Sequence, residues 1–311
     1  MRRRDILKAI ALGSAAAVIR SFDTFDVLAQ TGSTAASGNA DLVAALGGEP
    51  AEMLHQALIE LGGIERFVKS GNQVVIKPNI GWDNTPEEAG NANPELVGSL
   101  VRLCLDAGAT KVNVLDHTCD QWSACYKNSG IEAAVKDAGG EMLPAHDQRA
   151  YQEIELPRGK VLKKAKVHRA ILESDAWFNV PVLKSHGGAG ITVSMKNLMG
   201  IVWDRGYFHW HDLHQCIADI CTLPKAPTLN IVDAYRVLVH GGPRGGRGKD
   251  VVVAKGLFAS TDIVAVDTAA ARFFGQFRNM PLENIGYLRK GEELPVGTTD
   301  LDSLKIKRLK V

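Results

Sequence analysis

The chain has 311 residues, 36 of them basic against 35 acidic, and 45% are apolar. That near-balance of charge excludes the broad basic footprint of a nucleic-acid or anionic-lipid binder, so recognition has to be local. The apolar content excludes a disordered chain, and no apolar run past the N-terminus approaches the ~18 residues of a membrane span.

Arg3, Arg4, Asp5, Ile6, Leu7 and Lys8 match the R-R-x-apolar-L-K pattern of twin-arginine export signals. Residues 9–19 (AIALGSAAAVI) then form an apolar run too short to cross a bilayer. Val27-Leu28-Ala29 before Gln30 supplies a signal-peptidase site, so cleavage is expected after Ala29. No cysteine follows the run, and neither a lipid anchor nor any membrane anchor is expected after cleavage. These features predict residues 1–29 as a twin-arginine signal, the translocase as a partner, and a folded product in the periplasm or secreted. The alternative is a basic amphipathic helix on a cytosolic protein.

Residues 30–48, rich in Gly, Ser, Ala and Thr at their start, are expected to be a flexible leader, with order beginning near Pro50. From there helix and strand patterns alternate: a helix at 50–62, strand 74–78, helix 94–107, strand 111–116, helices near 120–138. Strand 176–183, a helix at about 211–222, strands 228–234 and 253–260, and helix 262–274 follow. VVIK and NIVD are apolar without alternation, as in strands covered on both faces. The expected class is α/β: a mostly parallel sheet flanked by helices over residues 49–311, as one large domain or two closely packed lobes.

Open parallel sheets bind ligands outside the carboxyl ends of their strands, and polar residues cluster there. Lys77 and Asn79 follow one strand, Asp116 and His117 the next, then Lys184 and His186, Asp233, and finally Ser260 and Asp262. Asp262 directly precedes a helix and reads first as its N-cap. The glycines of K-S-H-G-G-A-G-I-T-V-S-M-K-N-L-M-G (184–200) let backbone N–H groups approach an anion, with Gly187 and Gly188 nearest His186. Lys196 and Asn197 close that block. A second glycine loop, H-G-G-P-R-G-G-R-G-K (240–249), offers Gly242 and Arg244 as a carboxylate or phosphate clamp, or is a solvated loop. Neither loop matches a dinucleotide or P-loop pattern, and no serine or cysteine hydrolase motif is present.

In W-D-R-G-Y-F-H-W-H-D-L-H (203–214), His211 and His214 are spaced for one helix face with His209 nearby, a candidate divalent-metal site completed by a carboxylate such as Asp116 or Asp233. The same stretch also suits a helix start packed on a sheet. The five cysteines contain no C-x-x-C, so no ferredoxin-type cluster motif is written here. Pairing of Cys119 with Cys125 or of Cys216 with Cys221 is conceivable, but the latter two point about 140° apart on a helix, and buried free thiols are the default.

K-P-N at 77–79, the K-S-H…M-K-N-L-M-G block, V-D-A at 232–234 with G-G-P at 241–243, and S-T-D-I-V-A-V-D at 260–267 together resemble the domain of unknown function 362 family. The resemblance spans about residues 70–275. It implies Lys77, Asn79, Lys184, His186, Lys196, Asn197, Asp233, Gly242, Asp262 and Asp267 as family-pattern positions, without an established reaction. Members of that family often carry ferredoxin-like cysteines beside the domain; this chain has none of them.

The expected function is an enzyme that binds a small anionic substrate at the carboxyl edge of the sheet. In it Lys77, Asn79, Lys196, Asn197, Gly187, Gly188, Gly242 and Arg244 bind, while His186, Lys184, Asp116 and Asp233 carry the chemistry. The alternatives are a periplasmic redox protein with a metal on His209, His211 and His214, and a ligand-binding protein that transforms nothing.

Overall fold

A computed structural model describes residues 38–311; the expected signal sequence, its expected cleavage site and the first part of the expected leader lie outside the described residues. Order begins before Pro50. Leu42–Leu46 form β1, buried and paired on both sides, because LVAAL is apolar enough to occupy an inner position of the sheet. The expectation of a leader reaching residue 48 is corrected on this point: the small polar residues stop at Asp41.

Helix α1 (Pro50–Glu60) follows, with proline in its first turn, where a missing N–H costs nothing. Strand β2 (Gln73–Pro78), helix α2 (Pro94–Asp106) and strand β3 (Lys111–Val114) make a parallel β-α-β unit. Two short helices, α3 (Trp122–Asn128) and α4 (Ile131–Asp137), lead to β4 (Glu141–Met142), again parallel. A separate antiparallel hairpin, β5 (Tyr151–Glu155) with β6 (Lys164–His168), lies outside the main sheet.

The apolar run at 176–183 is two strands, not one. Pro181 has no N–H to donate, and the ladder breaks there. Before it, β7 (Ala176–Val180) pairs with β2; after it, β8 (Val182–His186) leaves that register and pairs with β9 (Gly190–Thr192). Three short helices, α5 (Ser194–Asn197), α6 (Gly206–Trp210) and α7 (Leu213–Ile220), precede the long strands β10 (Leu229–Leu238) and β11 (Val251–Ser260). Helix α8 (Ile263–Phe274), helix α9 (Gly286–Glu293) and strand β12 (Ile306–Lys310) complete the chain.

The main sheet runs β12-β1-β11-β10-β7-β2-β3-β4, with β8 and β9 branching from β10. It is mixed but mostly parallel, and helices flank it. Its interior strands carry apolar residues toward both faces: all of β7 and all of β2 past Gln73 are buried. On one side α1, α2 and α4 contribute Leu54, Leu58, Leu100, Val101 and Val135 to a core shared with Val74, Ile76 and Phe178.

Strand β11 departs from the parallel pattern: it runs antiparallel to both β10 and β1. Its carboxyl end therefore lies at the opposite sheet edge from those of β2, β3 and β8. Ser260 pairs in register with Asn230 at the start of β10 and donates to the Asp41 carbonyl, while Asp262 caps α8 by accepting from Val264 and Ala265. Neither belongs with the other strand-end residues.

Candidate functional site

The carboxyl ends of β2, β3 and β8 converge on a cavity of about 390 Å³. Lys77, Asn79, Asp116, Lys184, His186, Lys196 and Asn197, all anticipated from the strand ends and the glycine-bearing block, line it together.

Lys77 is fully buried near the end of β2. Its Nζ lies 2.9 Å from Asp116 Oδ1 and donates to Asn197 Oδ1 at 2.6 Å and to the Pro78 carbonyl at 2.9 Å. Burial pulls its pKa down, and Asp116 opposes that pull. The second carboxylate oxygen of Asp116 accepts the backbone N–H of Ile80 at 2.6 Å, so the pair is fixed on both sides. Gly200 presses its backbone against this pair. A Cβ there would overlap Asp116 Oδ1 and come within 2.6 Å of Lys77 Cε and Nζ. Gly200→Ala is thus expected to cost about 2–3 kcal/mol, read as a lowered midpoint in thermal or urea unfolding; a wild-type midpoint would mean that the ion pair yields freely.

Lys184 is equally dry, 1% exposed, but meets no carboxylate. Its Nζ donates to Asn79 Oδ1 at 2.9 Å and to the Gly90 carbonyl at 2.6 Å, both uncharged. Burial, with Lys196 and Lys77 adding positive charge nearby, brings its pKa down to about 7. Lys196 bonds to the Met199 sulfur, at 3.4 Å, and burial lowers its pKa to about 8. The cavity thus holds two lysines with no carboxylate partner of their own: its one carboxylate already pairs with Lys77, and the Cys119 sulfur is the other group that favours their charged forms.

His186 ends β8. The turn that starts the β8–β9 hairpin folds two backbone N–H groups, of Gly188 and Ala189, onto its Nδ1, each at 3.1 Å. An Nδ1 that accepts two hydrogen bonds cannot carry a proton, so the ring is the neutral Nε2–H tautomer. Burial and the neighbouring lysines push its pKa down to about 3. In this arrangement His186 presents an N–H at Nε2 and no unoccupied ring nitrogen.

Lys196 and Asn197 are set by a buried polar chain. Asp267 on α8 accepts the backbone N–H groups of Ser194 and Met195 at 2.7 and 2.8 Å, anchoring the first turn of α5. Asn197 donates to Asn179, and Asn179 to Asn230, so three asparagines tie this turn to β7 and β10.

Several anticipated residues stand elsewhere. Asp233 does not reach the cavity: it lies partway along β10 and accepts from the backbone N–H groups of Asn93 and Tyr235. It ties β10 to the start of α2, and the strand runs on past it to Leu238, so its sequence position was not a strand end. Gly187, Gly188 and Gly242 line a neighbouring cavity of about 410 Å³ with Ser185 and Arg278, and His186 borders both cavities. Arg244 is exposed, paired with Asp120 and stacked 4.6 Å over Trp82 at the rim. Of the three histidines, only His209 lines the main cavity; His211 stacks on Tyr207 and bonds to its carbonyl, and His214 stacks on Tyr287. Among the described residues no group of three His, Cys, Asp or Glu side chains is gathered to hold a metal ion.

Arg205, Cys119 and Thr192 also line the cavity. Arg205 donates to the His117 and Thr118 carbonyls at 2.7 and 2.6 Å and approaches the exposed Cys119 sulfur at 3.4 Å. The other four cysteines are buried, and all five are free thiols. Thr192 faces Lys184 across the β8–β9 ladder, and its buried hydroxyl has no hydrogen-bond partner. Cys119 lies three residues beyond Asp116, so the strand-end rule pointed near it; Arg205 lies inside the histidine-rich stretch singled out for its spacing, and Thr192 required the hairpin pairing.

The fold and cavity define an α/β protein with a lysine-lined pocket at the carboxyl edge of a mostly parallel sheet. The chain belongs to the family described as Domain of unknown function (DUF362), whose profile matches residues 74–272. A thylakoid-associated protein of Synechocystis sp. is 27% identical over 229 residues, 69% of this chain and 66% of that protein, so the chain spans just under two thirds of that relative's length. Among solved structures, a Thermotoga maritima protein aligns with a TM-score of 0.50 at 14% identity, over 74% of this chain and 60% of that one. The lactate racemase apoprotein of Thermoanaerobacterium thermosaccharolyticum aligns with a TM-score of 0.45 at 12% identity, over 69% and 53%. At such identities the likeness concerns the fold.

Proposed function

We propose that the protein is an enzyme that binds a small anionic substrate, a carboxylate or phosphate, in the cavity at the carboxyl edge of its sheet. The observation that carries this reading is the unbalanced charge: buried Lys184 and part-buried Lys196 line a cavity whose single carboxylate is already paired with Lys77. A bound anion supplies the missing counter-charge and restores the ordinary basicity of both amines. Neutral His186 contributes an uncharged donor from Nε2, Asn79 holds Lys184 in place, and Asn197 holds Lys77. The twin-arginine pattern at Arg3–Lys8 supports export as a folded protein through the twin-arginine translocase, to the periplasm or beyond.

A specific test follows from linkage. At pH 8 an amine brought down to about 7 is mostly neutral and one at about 8 is half neutral, so anion binding draws protons from solvent. Calorimetric titration with oxalate or inorganic phosphate, in two buffers of different ionisation enthalpy, is expected to show uptake of about one proton and an affinity that falls from pH 7 to pH 9. Binding without proton uptake, or no binding, overturns the reading. The fixed tautomer of His186 also fits a protein that only binds its ligand, since the ring offers a donor and no base; proton uptake without turnover of any carbonyl or phosphoryl compound would favour that second reading.

A further inference from the structure

The geometry points to Lys184 as an amine nucleophile that forms an imine with the carbonyl carbon of a small anionic aldehyde or ketone. This deepens the anion-site reading and rests on it.

Four positions surround the Lys184 nitrogen. One holds its own carbon, and two point at acceptors, Asn79 Oδ1 and the Gly90 carbonyl. These hold the two protons of a neutral amine, which leaves its lone pair for the remaining direction, and the residue lines the cavity. Lys77, as deeply buried in the same site, differs in the one respect that decides the protonation state: Asp116 at 2.9 Å keeps it an ammonium. Lys184 has no such partner, and a dry amine without a counter-ion is the activated form of a lysine nucleophile.

The groups around it suit a carbonyl oxygen. His186 stands two residues along β8, on the same strand face, with its proton fixed on Nε2. Thr192, opposite Lys184 in the β8–β9 register, has a buried hydroxyl with no partner of its own. Either hydroxyl or ring N–H can donate to the oxygen that develops negative charge. Lys196 remains for the substrate's anionic group.

The step balances without any co-reactant. The amine lone pair forms the N–C bond as the C=O π pair moves onto oxygen, and one Nζ proton passes to that oxygen to give a carbinolamine. The hydroxyl then leaves with the second Nζ proton as water, and the nitrogen pair closes the C=N bond.

The test incubates the full chain with pyruvate at pH 7.5, adds sodium borohydride, and maps the products by peptide mass spectrometry. The expected result is a 1-carboxyethyl group on Lys184, favoured roughly a hundredfold over Lys77 and over surface lysines, whose amines are almost wholly protonated at that pH. Lys196→Gln should lower the yield while leaving Lys184 in place, and Lys184→Met should abolish labelling of its peptide. Oxalate, an anion with no electrophilic ketone, separates the two readings. If oxalate binds with proton uptake but pyruvate leaves Lys184 unlabelled, the imine is wrong and the anion site stands. If neither occurs, both fail. Labelling spread over lysines in proportion to their exposure also overturns the imine.

Discussion

Lys77→Met is expected to destabilise the protein by about 3–5 kcal/mol at pH 7, the largest loss from any single change in the cavity. The substitution keeps most of the side-chain volume but strands Asp116, 2% exposed, without its ammonium partner. One oxygen of that carboxylate keeps the Ile80 N–H; the other loses its only charged neighbour. The change also removes the Lys77 bonds to Asn197 Oδ1 and the Pro78 carbonyl, at 2.6 and 2.9 Å, and leaves Asn197 Oδ1 with Asn79 Nδ2 at 3.0 Å. Replacing both partners, Lys77→Met with Asp116→Leu, removes the stranded charge and should recover more than half of the loss, because two apolar side chains in a dry site carry no desolvation cost. Urea unfolding of the two single variants and the double gives the coupling energy directly. Additive single losses would mean that solvent reaches Asp116 and that the pair is not the anchor of the cavity floor.

The strand-end rule located this floor without a structure because β2, β3 and β8 do run parallel, and each of the first three polar clusters stands where its strand leaves the sheet. It failed where direction or length differed from the local pattern. VAKGLFAS has the same apolar texture as its parallel neighbours, and nothing in that stretch declares that β11 runs the other way, so Ser260 and Asp262 were grouped with residues at the far edge. Asp233 was misplaced for a related reason: a carboxylate inside a strand looks like a terminus until its partners, the Asn93 and Tyr235 N–H groups, are known. The histidines of 203–214 had helical spacing in sequence, but the short helix α6 ends at Trp210 and α7 begins at Leu213, so the face they were to share does not exist. Residues 42–46 were hidden by their small size; alanine and leucine beside a Gly/Ser-rich stretch give little periodic signal, yet they pair on both sides in the sheet.

Lys184→Met is expected to act with the opposite sign to Lys77→Met, making the protein about 2 kcal/mol more stable at pH 6 while removing the larger part of the proton uptake that accompanies anion binding at pH 8, the remainder belonging to Lys196. The two lysines are buried alike, at 0% and 1% exposure, so burial alone cannot separate them; the counter-ion does. The folded-state value of about 7 lies below the ordinary 10.5, so between those limits the unfolded chain binds more protons than the folded one. Stability then rises with pH across that window, and the cost of holding the ammonium in a dry site is complete below pH 7 and fades toward pH 10.5. The methionine variant avoids that cost, less the two hydrogen bonds that Asn79 and Gly90 forfeit. Its advantage should therefore be largest in acid and vanish by about pH 10, a trend that urea unfolding at pH 6, 8 and 10 measures. A variant less stable than wild type at pH 6 would show that Lys184 is stabilised as an ammonium by its two neutral acceptors, and the lone pair assigned to the imine would not be available. A stability gain coupled to loss of anion-linked proton uptake is the signature of a residue kept in an unfavourable place for what it binds, since a merely structural lysine has no reason to be stabilising only when a ligand is present.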